Sequence, residues 1–373
     1  MSVDVVVTEE ELRHRTILRK DLKADRAAFL DTKIPGSEGK VNYPLIGPGV
    51  SENADQIIPV TEPHGFNLGG AVMAAGVINN LHLHFTAEVF MCFGGEWQFR
   101  WGVDGSDGEI VVGDGDVISI PTWVFRGFTS RTDDAWLYTA LGRDESGGLI
   151  WAPSVIEKAA LYGRHMSVDH QIIDTEPGAV PDGIETARPL NAEQLAALRA
   201  YSTVEMRQRL AKPADLDWQD APFLDSSLQG GGAQLALVVG YGLTENRFQQ
   251  PRLADPHGLS LAWLRAQPGS GMRRHRIREA QALLVKSGRL KVTLNRESAI
   301  ATELGPFDVL SVPRGAWRQF ESVGDEHVQF VALTEGDGRV YLDWDPDVIA
   351  EARAKDAARD ANGYVAPASL LNS

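Results

Sequence analysis

Leu81-His82-Leu83-His84-Phe85-Thr86-Ala87-Glu88 opens the stretch that decides how this chain is read, and Gly113-Asp114-Gly115-Asp116-Val117-Ile118-Ser119-Ile120-Pro121, followed by Arg126, closes it. Side chains two apart on a strand share a face. His82, His84 and Glu88 are separated by even steps, so two imidazoles and a carboxylate can point the same way. That donor set, with no fourth obligatory protein ligand, is a facial triad, which leaves metal positions open to substrate and oxygen. A His-x-His pair alone would equally suit a half-buried strand edge. The glutamate at matching parity, the Gly94-Gly95 break and the Gly-rich turn before Pro121 favour the metal site.

Outward from this stretch, residues 57–141 read as β-structure. Short apolar runs at 69–77, 88–93, 97–101, 109–112 and 117–120 are separated by Gly and Asp. Many short strands with polar turns predict a sandwich or small barrel. The pattern then recurs. Pro63-His64-Gly65 returns as Pro256-His257-Gly258, 193 residues later, and the same offset places Leu68 on Leu261, His82 on His275 and Gly95 on Gly288. After the loss of one residue, an offset of 192 places Gly113 on Gly305, Asp116 on Asp308, Ser119 on Ser311, Pro121 on Pro313, Arg126 on Arg318 and Phe128 on Phe320. Two copies of one all-β domain follow. In this register His84 meets Ile277 and Glu88 meets Gln281, so the second copy lacks the triad. Sliding by two residues would offer Arg273, His275 and Glu279 instead, but breaks the match at Gly288. The recurrence of His64 as His257 beside Pro and Gly reads as a turn.

The remaining segments set the domain plan. Residues 1–55, broken by Gly36, Gly39, Pro44, Gly47 and Pro48, read as an irregular arm. Domain one is expected at 56–150, a helical and loop connection at 151–232, domain two at 233–340, and a helix with a tail at 341–373. Asn191 is the expected cap of an Ala/Leu-rich helix in the connection.

Composition narrows the function. At 373 residues and 43% apolar content the chain can bury two or three cores. A net charge of -15 argues against nucleic-acid or anionic-membrane partners. The single cysteine, Cys92, excludes an internal disulfide and suits a reducing, cytoplasmic setting. Met1-Ser2-Val3-Asp4 does not begin a basic-then-apolar leader, and no apolar run approaches the roughly 18 residues of a membrane span.

His-x-His followed by Glu and Gly, then Gly and Pro in a second motif, resembles the cupin superfamily over roughly 57–142 and 250–335, and the duplication resembles a bicupin. The resemblance implies two tandem jelly-roll barrels with a metal inside. It also implies a histidine after the proline of the second motif, where this chain has Arg126 and Arg318. That departure is similar to hydroquinone-type ring-cleaving dioxygenase subunits, for which His82, His84 and Glu88 would carry Fe(II). From the donors alone, Mn(II), Ni(II) and Zn(II) fit as well.

Expectations for the site follow. Arg126, if inward, needs an anion, either Glu88 or a substrate oxyanion, and is the expected catalytic cation. Trp97 and Trp101 alternate with Gln98 and Arg100 and are expected to wall a pocket for a small, aromatic substrate. Asn79 and Asn80 are expected to donate hydrogen bonds to it. The function expected is a metal-dependent dioxygenase cleaving a small phenolic or enolic substrate. A metal-dependent isomerase or lyase on a small carbonyl acid, a non-catalytic binding protein and a storage protein are the alternatives. The arm and the connection are expected to pack across a homodimer, closing sheet edges.

Overall fold

The computed structural model describes residues 4–371. The described residues form two units, one of residues 23–214 and the other of 4–22 with 215–371.

The first unit is a barrel of two antiparallel sheets. One has the strand order Leu210–Ala211, Val117–Ile120, Glu88–Gly94, Ala135–Gly142, Phe66–Met73 and Val41–Ile46. The other has the order Leu149–Trp151, Ile78–His84, Arg126–Ser130, Trp97–Trp101 and Gly108–Val112. Alternation sets the inner face: on Trp97–Trp101 the three aromatics are buried while Gln98 and Arg100 are only half-buried. The second unit repeats both orders. Its six-stranded sheet runs Thr16–Ile17, Val309–Val312, Gln281–Ser287, Val328–Glu335, Leu259–Ala266 and Gln234–Val239. Its five-stranded sheet runs Asp343–Trp344, Gly271–Arg276, Arg318–Val323, Arg289–Leu294 and Ile300–Leu304.

The register chosen from sequence is the register of the fold. His82 lies across from Arg126, and His275 lies across from Arg318. The repeat also extends ahead of the barrels, beyond the motifs that reveal it in the sequence. Thr8 and Glu11 form a capping box at the helix Glu9–Arg15, and Ser202 and Glu205 form one at Thr203–Gln208. Each helix leads into a two-residue edge strand, Thr16–Ile17 against Val309–Val312 and Leu210–Ala211 against Val117–Ile120. Arg15 Nη1 donates to Ser311 Oγ at 2.9 Å, and Arg209 Nη2 donates to Ser119 Oγ at 2.9 Å. The segment ahead of the first barrel in sequence therefore packs on the second barrel, and the segment ahead of the second packs on the first. These two edges are closed by strands of the same chain.

The C-terminal segment differs from expectation, while Asn191 caps a helix as expected. The C-terminal helix, Pro346–Ala354, is followed not by a loose tail but by the hairpin Ala357–Arg359 with Val365–Pro367 and a short helix, Ala368–Leu371. In the connection, Asn191 caps Ala192–Ala196 through a capping box with Gln194, and Arg164–Met166 pairs with Ile172–Asp174.

Candidate metal centre

His82 and His84 end the strand Ile78–His84, and Glu88 begins Glu88–Gly94 after a tight turn. One donor atom from each lies within 4.8 Å of the others, and all three side chains are buried. A backbone carbonyl only accepts, so the short contact of 2.7 Å between His82 Nδ1 and Asn80 O puts the proton on Nδ1 and leaves Nε2 with a lone pair. His84 Nδ1 faces Gly148 O at 3.4 Å in the same way. His84 Nε2 is buried, has no hydrogen-bond partner, and sits 3.5 Å from Glu88 Oε2. Desolvation, with Arg126 nearby, holds both imidazoles well below their ordinary pKa and hence neutral, the ligating form. An orphaned ring nitrogen beside a carboxylate, with both rings oriented from behind, fits a divalent ion.

Arg126 faces inward and is fully buried, but its partner is Glu88. Its Nε and Nη2 donate to Glu88 Oε2 at 2.9 and 2.6 Å, and Nη1 donates to Val124 O at 3.2 Å. Burial pushes the Glu88 pKa up and Arg126 opposes the shift. The guanidinium is thus placed to hold a carboxylate ligand, and it is not among the residues lining the cavity. The expected catalytic contact between Arg126 and substrate is not what the geometry shows.

That cavity is lined by His82, His84, Glu88, Asn79 and Lys40, with apolar walls that include Phe29, Met73, Phe90, Phe128, Leu141 and Trp151. Trp97 and Trp101 do not line it. They lie one layer deeper in the core, with Trp97 5.7 Å from Phe128, and their indole N–H groups donate to Gly94 O and Tyr201 O. Phe90 and Phe128, packed on that layer, take the wall position.

The two asparagines also part company. The pairing of Ile78–His84 with Arg126–Ser130 shifts between Asn79 and His82, a β-bulge. Phe128 and Arg126 share a face, so Asn79 and His82 opposite them share one too, although they are an odd number apart. Gly127 permits the close approach: a Cβ there would meet Asn79 O at 2.7 Å. Asn79 therefore lines the cavity, whereas the Asn80 side chain donates to Asp31 Oδ2 at 3.0 Å and Ser37 Oγ at 2.7 Å.

Several residues around the triad were not singled out from sequence. The Trp151 ring is 5.4 Å from that of His82, and its N–H donates to Glu52 Oε1 at 2.7 Å. Glu52 Oε2 also accepts from Leu30 N, and burial pushes its pKa up to about 8. Lys40 pairs with buried Asp31 and donates to Asn79 Oδ1 at 2.8 Å. The offset of 193 carries a signal for part of this set, because Glu52 and Trp151 recur as Glu245 and Trp344, also hydrogen-bonded, at 2.9 Å.

In the second barrel His275 repeats the contact of His82, with Nδ1 2.8 Å from Arg273 O. Ile277 and Gln281 stand where the other two ligands would be, and Gln281 Oε1 accepts from Arg318 Nη1 at 3.2 Å. Arg318 is otherwise bonded to the backbone carbonyls of Ala316 and Pro313, a structural use of the duplicated arginine.

Glu245 yields a stability prediction. Burial pushes its pKa up to about 7 from 4.5. Between these values the unfolded chain has released the proton and the folded chain keeps it, so this group stabilises the fold fully below the lower value and less as pH rises through the upper one. Relative to Glu245→Gln, the wild-type unfolding free energy should fall by up to about 1.4 kcal/mol per pH unit across that window. Urea denaturation of both proteins at several pH values checks this; parallel pH profiles would refute it.

Comparison with known proteins agrees with the fold. The Cupin domain family matches residues 262–334. Comparison with curated proteins finds no match. Among solved structures, a Lactobacillus farciminis oxalate decarboxylase formate complex is similar at TM-score 0.52 and 12% identity, covering 89% of this chain and 88% of that one. A point mutant of Bacillus subtilis oxalate decarboxylase has TM-score 0.51 and 13% identity, with 90% and 85% covered. Vicilin from Corylus avellana (hazelnut) has TM-score 0.51 and 11% identity, with 87% and 86% covered. An enzyme and a seed protein thus share the architecture, which shows the fold and leaves the chemistry to the site. Residues 262–334 of the second barrel match the cupin domain family, and the two barrels of one strand order give the chain the two-barrel fold of these solved structures.

Proposed function

We propose that the first barrel is a metal-dependent oxygenase site acting on a small phenolic or enolic substrate, and that the second barrel is structural. The observation that carries this reading is the convergence of His82, His84 and Glu88 on an apolar cavity, with His84 Nε2 buried and unpartnered. These three residues would hold the ion, Fe(II) by preference, with Mn(II), Ni(II) and Zn(II) suited to the same donors. Bound there, a divalent ion supplies Lewis acidity and, as Fe(II), access to dioxygen. The chain's own residues do the rest. Asn80 O and Gly148 O orient the imidazoles. Arg126 fixes the Glu88 carboxylate. Phe90, Phe128, Met73 and Trp151 exclude water and offer faces on which a planar ring packs.

A metal-dependent lyase or isomerase on a small carbonyl acid is the second reading, favoured by the ammonium of Lys40 in the cavity lining beside the triad. The two are separated by anaerobic loading with Fe(II), followed by oxygen-uptake and carbon-dioxide measurements with hydroquinones, catechols and small keto acids. Oxygen uptake dependent on a phenolic compound is expected. Carbon-dioxide release from a keto acid without oxygen uptake would overturn the oxygenase in favour of the lyase.

A further inference from the structure

We propose that Lys40 is the specificity-determining residue of the first-barrel cavity and that, with Asn79, it binds an anionic oxygen on a small substrate with an apolar ring. The proposal deepens the metal-site reading and rests on it for the identity of the cavity.

Three observations carry it. First, Arg126 is committed to Glu88 and Val124 O, so the cationic side chain that lines the cavity is Lys40. The ammonium has three N–H donors. One goes to Asp31 Oδ1 and one to Asn79 Oδ1. The Phe29 and Trp151 rings, at 5.0 and 6.0 Å, offer diffuse attraction but no acceptor atom. A donor is left for a ligand in a place where an unmet N–H is costly.

Second, the internal duplication separates structural residues from site residues. Asp31, Glu52 and Trp151 have counterparts in Asp225, Glu245 and Trp344 that keep bonds in common: the indole N–H donates to the glutamate in each copy, and Asp31 Oδ2 accepts from Asn80 N as Asp225 Oδ2 does from Arg273 N. Val41 pairs with Val72 as Gln234 pairs with Arg265, which places Lys40 on Ala233. By the offset of 193, Asn79 falls on Met272. Lys40 and Asn79 are thus found in the copy with His84 and Glu88, and replaced in the copy without them.

Third, the lysine is not a structural necessity. In the second barrel Asp225 has no lysine partner, its Oδ1 accepts no hydrogen bond, and the barrel is formed all the same. Asp31 by itself therefore does not account for Lys40.

The carboxylate and phenolate forms of the anion are told apart by probe choice. Benzoate, 4-nitrophenolate and neutral benzamide are titrated into Zn(II)-loaded and metal-free protein, followed by calorimetry and tryptophan fluorescence, with metal content measured alongside. Wild type should prefer one of the two anions over benzamide in both preparations. Lys40→Met should weaken that anion about 10–150-fold, the worth of one charge-assisted hydrogen bond, with benzamide unchanged and metal content unchanged. Because Lys40→Met leaves Asp31 buried and unpaired, Lys40→Met with Asp31→Asn removes both charges and should lose the same preference. A wild type with no preference for either anion, or with no binding at all, overturns the proposal. So does a double variant that keeps the preference. Failure of the metal reading shows separately, as wild-type protein that does not retain zinc.

Discussion

His84→Ala is expected to give a folded chain that no longer retains a metal ion. The substitution removes one of three donors and leaves a pair, so affinity should fall by more than the roughly 10–100-fold that loss of an outer partner costs. The fold should survive. His84 Nε2 has no hydrogen-bond partner and Nδ1 has only a long contact of 3.4 Å, so little bonding is lost. The cavity left behind should cost about 1–3 kcal/mol. His84→Ile is the gentler form of the experiment, because the second barrel already carries Ile277, buried, at this position. Metal content by mass spectrometry and the unfolding midpoint of metal-free protein check both. A metal-free variant that does not fold would mean that the ion is structural.

Arg126→Gln is expected to lower metal affinity about 10–100-fold and to destabilise the metal-free chain by about 3–5 kcal/mol. Both effects follow from the pair with Glu88. Two N–H groups converge on one carboxylate oxygen at 2.9 and 2.6 Å, in a place where both side chains are buried. Without the guanidinium, a buried carboxylate loses its counter-charge and its orientation. Titration of Zn(II) into the variant and urea denaturation without metal measure the two quantities. A variant with wild-type metal affinity and a raised KM would instead put the guanidinium on the substrate.

The histidine pair was legible because side chains two apart on one strand share a face, whereas Glu88 reaches the pair from the next strand, across the turn at 85–87, so its even spacing was not what placed it. The lost ligands of the second copy were legible because the repeat is ungapped from Pro63 to Trp101. What the sequence missed is local. The bulge opposite Gly127 puts Asn79 on the cavity face and leaves Asn80 bonded to Asp31 and Ser37, so the expectation for the pair fails for Asn80, and nothing in the pair itself announces a bulge. Alternation correctly put Trp97 and Trp101 inside but could not say that Phe90 and Phe128 stand between them and the cavity. Lys40 and Asp31 lie in a stretch read as an irregular arm, where no period exists to flag a buried ion pair. Glu52 was within reach, since it recurs at the offset of 193, but Trp151 recurs at 193 only after the stretch at 192, and both lie outside the run of motifs from Pro63 that reveals the repeat.

Metal stoichiometry with location tests the account most directly. Chain loaded with Fe(II) or Zn(II) and freed of loosely held ions should carry one ion, located by anomalous scattering between His82, His84 and Glu88. Two ions per chain, or density beside His275, would contradict the assignment of the site to the first barrel alone.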